Sequence, residues 1–338
     1  MLPRSMQLNR RFLFALAAVL TSSPAGATSL DFGVSYAPAG GTLLQDGLVR
    51  IGVQDVQLGG FGLAAGLSSR ALDASLTRSL VLPGLGVARV RTDGAVLYTG
   101  GLSSVGLRGG LNLSGTAGPV ALTLSGSAWN ASLTRFDPLA RWAEVAPDLR
   151  DSGAALGASA RYRLNRDTVL NVAGTLGGQS SVLAQAELRR GTLSYRLGVR
   201  AGQNVLGGLA GATYTDPDTG LSASLDALAG PDTLGLSGSL GLDGVLGEGS
   251  TARLFAAYEP WRTTSEVLRY GVQASLPLGP GTLSLEGYGG TQSGGAQAGG
   301  MGGTVGQGFG LKVGYLLPLG AAGPEADPAP AEETPARP

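Results

Sequence analysis

The chain has 338 residues, of which 58 are glycine and none is cysteine or histidine; 14% are charged, and the formal net charge is zero. Disulfides, histidine metal ligands and catalytic groups of the Ser–His–Asp or Cys–His type are therefore excluded. The balanced charge argues against a nucleic-acid binder, and the 43% content of hydrophobic residues argues against disorder for most of the chain.

The first 27 residues have the features of a secretory signal peptide. Arg4, Arg10 and Arg11 precede a short apolar stretch, and residues 25–27 read Ala-Gly-Ala, a small-residue cleavage site. The apolar stretch is too short to cross a bilayer as a helix. We therefore predict export of the protein with cleavage after Ala27.

Residues 28–46 come before the regular part of the chain. Residues 30–36 alternate as a strand would, but an additional strand would make the strand count below odd. We therefore predict an N-terminal extension that pairs locally or lies inside the folded domain.

Residues 47–320 form one long series of short alternating segments. In residues 192–200, Leu193, Tyr195, Leu197 and Val199 fall on one face, and small polar residues and arginines fall on the other. A side-chain period of two is typical of a strand with one apolar and one polar face. The pattern predicts eighteen strands, among them residues 85–91 and 95–101, which are separated by the turn-like sequence Thr-Asp-Gly.

The connections between these segments alternate in length. Tight sequences rich in Gly, Asp, Asn or Pro, such as 190–191, 216–220 and 279–281, are typical of reverse turns. The intervening set contains every long connection: 130–153, 259–266 and 290–304. A sandwich of two sheets gives no reason for such sorting, whereas a membrane barrel has short turns at one end and long loops at the other.

With these features the chain resembles bacterial outer-membrane porin-type β-barrels; the resemblance is architectural and rests on no family-specific motif. It implies an all-β fold, a transmembrane antiparallel β-barrel of about 16–18 strands with short periplasmic turns and longer external loops. It also implies contact with outer-membrane lipid and use of the barrel-insertion machinery, while a homo-oligomer stays open. Residues 321–338, which are acidic and rich in Pro and Ala, are predicted to be a disordered tail.

Charged residues on the polar faces of the strands are the candidate pore lining. The arginines come from the fourth to the eleventh predicted strand, where Glu187 is the one acid found, and the acids come from strands outside that arc. We therefore predict a basic wall that faces an acidic one. The candidates are Arg89, Arg91, Arg108, Arg161, Arg163, Arg189, Arg196, Arg200, Asp73, Asp226 and Glu286.

The long connection 130–153 is the other candidate for a functional element. Connections of this length are often functional, and this one either folds into the pore as a constriction or stands outside as a lid or binding surface. Its candidate residues are Arg135, Phe136, Arg141, Trp142 and Arg150.

The function that these features favour is a porin-like channel for passive diffusion of small polar solutes. No enzyme site, cofactor site or metal site is predicted, and no nucleic-acid partner. One alternative is a structural or anchoring outer-membrane barrel that does not conduct. The other is a secreted glycine-rich β-solenoid or adhesin, although no fixed repeat period is present.

Overall fold

The computed structural model describes residues 28–38, 46–83, 86–98, 105–292 and 306–319. The predicted signal peptide (1–27) and the predicted tail (321–338) lie outside these residues. Apart from a four-residue α-helix and a 3₁₀ helix, the regular structure consists of eighteen strands. No helix in this part of the chain is long and apolar enough to cross a membrane.

The strands have the following bounds: β1 Ser29–Tyr36, β2 Gly47–Leu58, β3 Phe61–Ser68, β4 Ala71–Leu82, β5 Gly86–Leu97, β6 Gly106–Ala117, β7 Val120–Trp129, β8 Gly153–Arg163 and β9 Thr168–Leu176. They continue with β10 Ser181–Arg190, β11 Leu193–Gly202, β12 Val205–Asp216, β13 Leu221–Gly230, β14 Thr233–Asp243, β15 Thr251–Tyr258, β16 Leu268–Leu278, β17 Gly281–Gln292 and β18 Gly306–Pro318.

Each strand pairs antiparallel with its neighbours in sequence, and β1 also pairs with β18, so the sheet closes into a barrel. In the closing register, Ser29 lies opposite Pro318 and Tyr36 opposite Leu311. Closure leaves no sheet edge among the strands described. The predicted fold class, an antiparallel barrel of 16–18 strands, is confirmed.

The predicted N-terminal extension at residues 28–46 is wrong for its first part, because β1 is a full member of the barrel wall between β18 and β2. The barrel therefore begins at Ser29 and not at residue 47. The prediction rejected a strand at residues 30–36 because it would have made the number of strands odd. That number was itself wrong, since it already contained one strand too many. Residues 39–45 lie outside the described part of the chain.

The extra strand came from splitting β5 into two. Thr92, Asp93 and Gly94 form no turn; they pair in the middle of β5 with Leu76, Ser75 and Ala74 of β4. The sequence Thr-Asp-Gly, which is typical of a turn, stays extended here because β4 and β6 form backbone hydrogen bonds with it on both sides. One split strand and one missed strand together left the predicted number at eighteen.

The two ends of the barrel differ as the alternating connections predicted. One end has mostly tight turns, in which Gly191 and Gly279 adopt left-handed backbone conformations with φ of 59° and 58°; its longest connection is 244–250. The other end carries residues 130–152 and 259–267. The backbone carbonyl of Thr28 accepts a hydrogen bond from the Leu319 amide at 2.7 Å, so both ends of the described chain lie at the short-turn end.

The two faces of the wall have opposite chemical character. Tyr195, Leu197 and Val199 belong to a large set of exposed apolar side chains, and Leu197 is 68% exposed. Their neighbours Arg196 and Arg200 point to the opposite face. Residues 130–152, which connect β7 to β8, contact this opposite face on strands across the ring, so it is the inner one.

An ion triad fastens the closing strand β1 to the wall. The Arg50 guanidinium on β2 binds Asp31 of β1 and Asp73 of β4, both at 2.7 Å. Gly66 on the intervening β3 leaves room for it, since a Cβ there would lie 2.7 Å from the Asp73 carboxylate. Arg50 thus links three strands on the inner face.

Replacing Arg50 by methionine leaves the carboxylates of Asp31 and Asp73 without their cation. We expect the free energy of unfolding to fall by about 1–2 kcal/mol, a moderate loss because all three groups are partly exposed. Thermal unfolding of the folded protein in detergent measures it. Arg50→Lys keeps the charge but not the guanidinium that reaches both carboxylates, so its free energy of unfolding should lie between those of the wild type and Arg50→Met. Equal stability of all three proteins would contradict a role for the triad.

Candidate functional site

The candidate site is the interior of the barrel. A cavity of about 680 Å³ lies against the inner wall of β11 to β17. Its lining is dominated by small polar side chains and contains few charges: Arg196, Asp226, Asp243, Arg253 and Glu286. Serine hydroxyls bond to one another across strands, as Ser224 does with Ser239 at 2.9 Å. Such a surface is suited to contact with water and polar solutes.

The strand registers place all eight candidate arginines on the inner face. Two residues that lie opposite each other on neighbouring strands have their side chains on the same face of the sheet. The pairing partners of the arginines therefore belong to the inner face as well. Those pairings are Arg89 with Ser114, Arg91 with Asn112, Arg108 with Trp129, Arg161 with Asn171, Arg163 with Val169, Arg189 with Ser194, Arg196 with Gly211 and Arg200 with Leu183.

Three of these arginines form ion pairs. Arg196 binds Asp226 through two nitrogens at 2.9 and 2.8 Å and donates to the Thr213 hydroxyl at 2.7 Å. Glu187 accepts from Arg189 at 2.7 Å and lies 3.5 Å from Arg161. These residues were predicted separately, and the fold brings them together.

The other five arginines have no ion pair among the described residues. Arg163 donates to backbone carbonyls of its own turn, at 3.3 and 3.4 Å. Arg108 stacks on Trp129 and Arg200 on Trp261, at 5.3 and 5.1 Å from the ring centres. Arg89 and Arg91 line a further inner cavity of about 360 Å³.

The three acids of the predicted acidic wall lie on the inner face, but each is paired with a cation. Asp73 binds Arg50 at 2.7 Å and Glu286 binds Lys312 at 3.0 Å, so these two acids outside the arginine arc are neutralised by cations on the same wall. Asp93 is a further acid within the arc, on the inner face of β5. Sequence alone gave the face of each acid but not its partner, because the partners come from other strands.

Residues 130–152, here called the inner segment, contain the helix α1 (Leu133–Phe136) and a 3₁₀ helix (Pro138–Trp142). The Asp137 carboxylate caps the second helix by accepting from the Leu139 amide at 2.9 Å. The segment folds inward, so the predicted constriction describes its geometry better than the external lid.

The inner segment crosses the barrel. It leaves the wall at β7 and returns at β8, yet Glu144 binds Arg253 of β15 at 2.7 Å and the carbonyl of Ala143 accepts from Arg269 of β16 at 3.0 Å. In a ring of eighteen strands, β15 and β16 lie nearly opposite β7. Arg253 is the third residue of β15 from the short-turn end, so the segment also descends into the interior.

Two buried aromatic residues anchor the inner segment. Phe136 packs against Ala71 and Leu97 at the mouth of β4 and β5. Trp142 is 1% exposed, packs in a cluster with Leu139 and donates from Nε1 to the Thr291 carbonyl at 2.8 Å. Both were predicted as loop candidates from their position alone.

Glycines of the opposite wall make room for these anchors. A Cβ at Gly290 would lie 2.8 Å from Trp142, and one at Gly310 would collide with Leu139. Their lack of a side chain therefore lets the segment lie close to the strands.

The three candidate arginines of the inner segment have different surroundings. Arg135 is exposed in the last turn of α1. Arg141 donates to the Pro138 carbonyl at 3.2 Å within the segment. Arg150 binds the Asp148 carboxylate at 2.8 Å and stacks on Trp129 at 5.6 Å. Arg150 thus shares Trp129 with Arg108 of the wall.

A second connection, residues 259–267, lies beside the inner segment. The Leu149 amide donates to the Thr264 carbonyl at 2.8 Å and joins the two loops. Trp261 packs against Val205 and Leu228 of the inner wall. Gln179 donates to the Trp261 carbonyl at 2.9 Å and ties this loop to the β9–β10 connection.

Glu259 holds this second loop in place. Its carboxylate binds Arg262 at 2.8 Å and Arg269 at 2.5 Å. Burial alone would raise the pKa of Glu259, but the two arginines outweigh it, and the pKa lies below its usual value of 4.5. The carboxylate therefore stays charged through the neutral pH range.

The depressed pKa of Glu259 predicts a pH-dependent loop. Because the pKa is lower in the folded loop than in the free chain, docking is fully stabilised above about pH 4.5 and weakens as pH falls below it. Fluorescence of Trp261, followed from pH 6 to pH 3, should report the release. Glu259→Gln should remove this dependence; an unchanged profile in that variant would assign the transition to another group.

Among the described residues, no group of three or more acids is arranged to hold a metal ion. The inner-wall residues that sequence reasoning missed include Arg50, Asp93, Arg253, Arg269 and Lys312. Alternation could have found each of them, since they occupy the polar phase of their strands. Nothing in the sequence marks Trp261 as an inner-wall contact.

No family model and no curated protein matches the chain. Among solved structures it is similar to a mutant porin of Rh. blastica, with 11% identity, 87% of this chain and 99% of that chain covered, and a TM-score of 0.46. A triple mutant of the Rhodopseudomonas blastica porin gives 10% identity with the same coverage and TM-score. The resemblance to porin-type β-barrels predicted from the sequence rests on the closed antiparallel ring of eighteen strands itself.

Proposed function

We propose that this protein is an outer-membrane channel for passive diffusion of small polar solutes. The observation that carries the proposal is the opposite character of the two faces of one closed wall. The outer face is exposed and apolar, as a lipid environment requires, whereas the inner face is lined by hydroxyls and charges around a cavity of about 680 Å³.

The inner segment supplies the size limit in this proposal. It crosses the barrel and is fastened on the far wall by Trp142, Ala143 and Glu144. Solutes then pass between the segment and the wall, and selectivity follows from the width of that gap and the charges around it.

The charge of the wall supports a preference for anions. Asp31, Asp73, Glu187, Asp226 and Glu286 on the inner face are each paired with a cation. Asp93 and Asp243 form no ion pair among the described residues, but they are outnumbered by the five inner arginines that form none either. Arginines without a counter-ion raise the local concentration of anions in a pore.

The remaining sequence predictions complete the proposal. A signal peptide cleaved after Ala27 exports the chain, and the insertion machinery places the barrel in the outer membrane. Mass spectrometry of the mature protein tests the cleavage.

Single-channel recording of the purified mature protein in a planar bilayer tests the function. We expect stable ohmic steps, with a reversal potential in asymmetric salt that has the sign of anion preference. Replacing Arg89 and Arg91 together by glutamine should reduce that preference, whereas the same double change at Arg78 and Arg190, exposed arginines on the outer face of β4 and β10, should leave it unchanged. A folded, inserted protein without current would instead support a structural or anchoring barrel.

A further inference from the structure

A smaller cavity of about 260 Å³ lies in the inner wall beside Trp261. It is below the range of roughly 300–1,000 Å³ that is typical of pockets for drug-sized ligands, so an occupant would be small. Arg196 and Asp226 line both this cavity and the larger one of 680 Å³, so the two adjoin at this ion pair.

One part of this cavity is apolar although it lies on the polar face of the barrel. Leu183, Leu209 and Leu228 occupy inward positions on β10, β12 and β13, and Leu209 pairs directly with Leu228. Trp261 packs over Val205 and Leu228. Leu183 and Leu209 are only partly buried and line the cavity.

A cation without a counter-ion lies next to this apolar part, since Arg200 is the cross-strand partner of Leu183. Arg200 is half-buried, stacks on Trp261 and has no ion pair among the described residues. The two neighbouring acids are engaged elsewhere, Asp226 by Arg196 at 2.8 Å and Glu259 by Arg262 and Arg269 at 2.8 and 2.5 Å. Arg262, on the same tryptophan at 4.3 Å, adds further positive potential.

These two halves require different chemistry from an occupant. A partly buried guanidinium gains most from a carboxylate, which matches its two parallel donors. Inward leucines gain from an aliphatic chain that removes them from water. Gln185 and Ser237, which also line the cavity, add hydrogen-bonding groups to it.

We infer that this cavity is a binding site for small amphipathic monocarboxylates. The carboxylate lies on Arg200, and the aliphatic chain lies against Leu183 and Leu209. Access through the lumen rests on the proposed channel function, whereas the site itself depends only on the wall and on residues 259–267. The wild-type barrel would thereby retain one class of solute longer than other polar solutes.

Calorimetric titration of the mature protein in lipid nanodiscs tests the site without requiring conduction. The probes are hexanoate, its uncharged amide hexanamide, and acetate, which has the charge without the chain; empty nanodiscs provide the background. We expect hexanoate to bind at least about tenfold more tightly than either of the others, because each lacks one half of the recognition. Equal binding of hexanoate and hexanamide overturns the inference without any variant.

Variants assign the binding to residues. Arg200→Gln should weaken hexanoate binding by about tenfold or more, and Leu183→Ser should weaken it while leaving acetate unaffected. The matched control is Arg163→Gln, which removes an unpaired inner arginine near the other end of the barrel. An equal loss in the control would mean diffuse attraction by the wall and would refute the site.

Two further results separate this inference from the channel function. Arg200→Lys keeps the charge and serves if the glutamine variant does not fold; it should retain part of the affinity, and full affinity would argue against the two-donor contact. If the barrel binds hexanoate but passes no current, the binding site is supported and the channel function is refuted. If it conducts but does not bind hexanoate specifically, the channel function is supported and the binding site is refuted.

Discussion

Replacing Trp142 by alanine is expected to raise the single-channel conductance and to free the inner segment from the far wall. The indole is 1% exposed, and its Nε1 donates to the Thr291 carbonyl at 2.8 Å. Loss of a buried tryptophan side chain costs about 3–5 kcal/mol. Since the segment forms no strand of the wall, we expect this cost to fall on its docking while the barrel stays closed.

Conductance and trypsin cleavage after Arg141 and Arg150 measure the release together. Trp142→Phe is the control, since it keeps most of the apolar contact and loses one hydrogen bond, worth about 1 kcal/mol. Gly310→Leu should also release the inner segment, because a side chain at this position of the wall collides with Leu139. Cleavage that increases without any rise in conductance would show that the segment does not limit the pore.

The second large effect is expected at Leu197, on the outer face of β11. This side chain is 68% exposed, and its neighbours Tyr195 and Val199 are exposed apolar residues on the same face. In a bilayer, Leu197→Arg should lower the free energy of unfolding by about 2–4 kcal/mol if the position lies near the midplane. Reversible unfolding in lipid vesicles measures the difference.

The control for Leu197→Arg is Gln185→Arg, an arginine introduced on the inner face of the adjacent strand β10. A charge there faces the lumen and should cost little. Arg196 is a poorer control, because it holds Asp226 through two hydrogen bonds and its loss leaves that carboxylate without a partner. Equal destabilisation by the two new arginines would contradict an apolar environment outside the barrel.

The sequence was sufficient for the architecture because the fold repeats one local rule. Side-chain alternation predicted the faces of the strands, and the sorting of short and long connections predicted the two ends of the barrel. Both signals are local, so an error at one strand does not spread to the others. The splitting of β5 at Asp93 and the loss of β1 therefore left the fold class correct.

The arrangement of charges could not be predicted in the same way. Whether Asp73 faces an arginine depends on which residue lies beside it on other strands, and Arg50 reaches it from β2 across β3. Cross-strand partners depend on register, which alternation alone does not give. The docking of Trp142 and Trp261 depends on contacts across the whole ring, for which neither spacing nor composition carries a signal.

Pairing of the first strand with the last imposes an order on biogenesis. Ser29 meets Pro318 only after nearly the whole chain has been made, and closing so long a loop carries a large entropic cost and makes folding slow. Until then, β1 and the most recently exported strand present unpaired edges that must be shielded from aggregation. A chain cut short before residue 306 keeps such edges permanently, whereas a circular permutant joined across Thr28 and Leu319 and opened at a loop between strands retains every pairing.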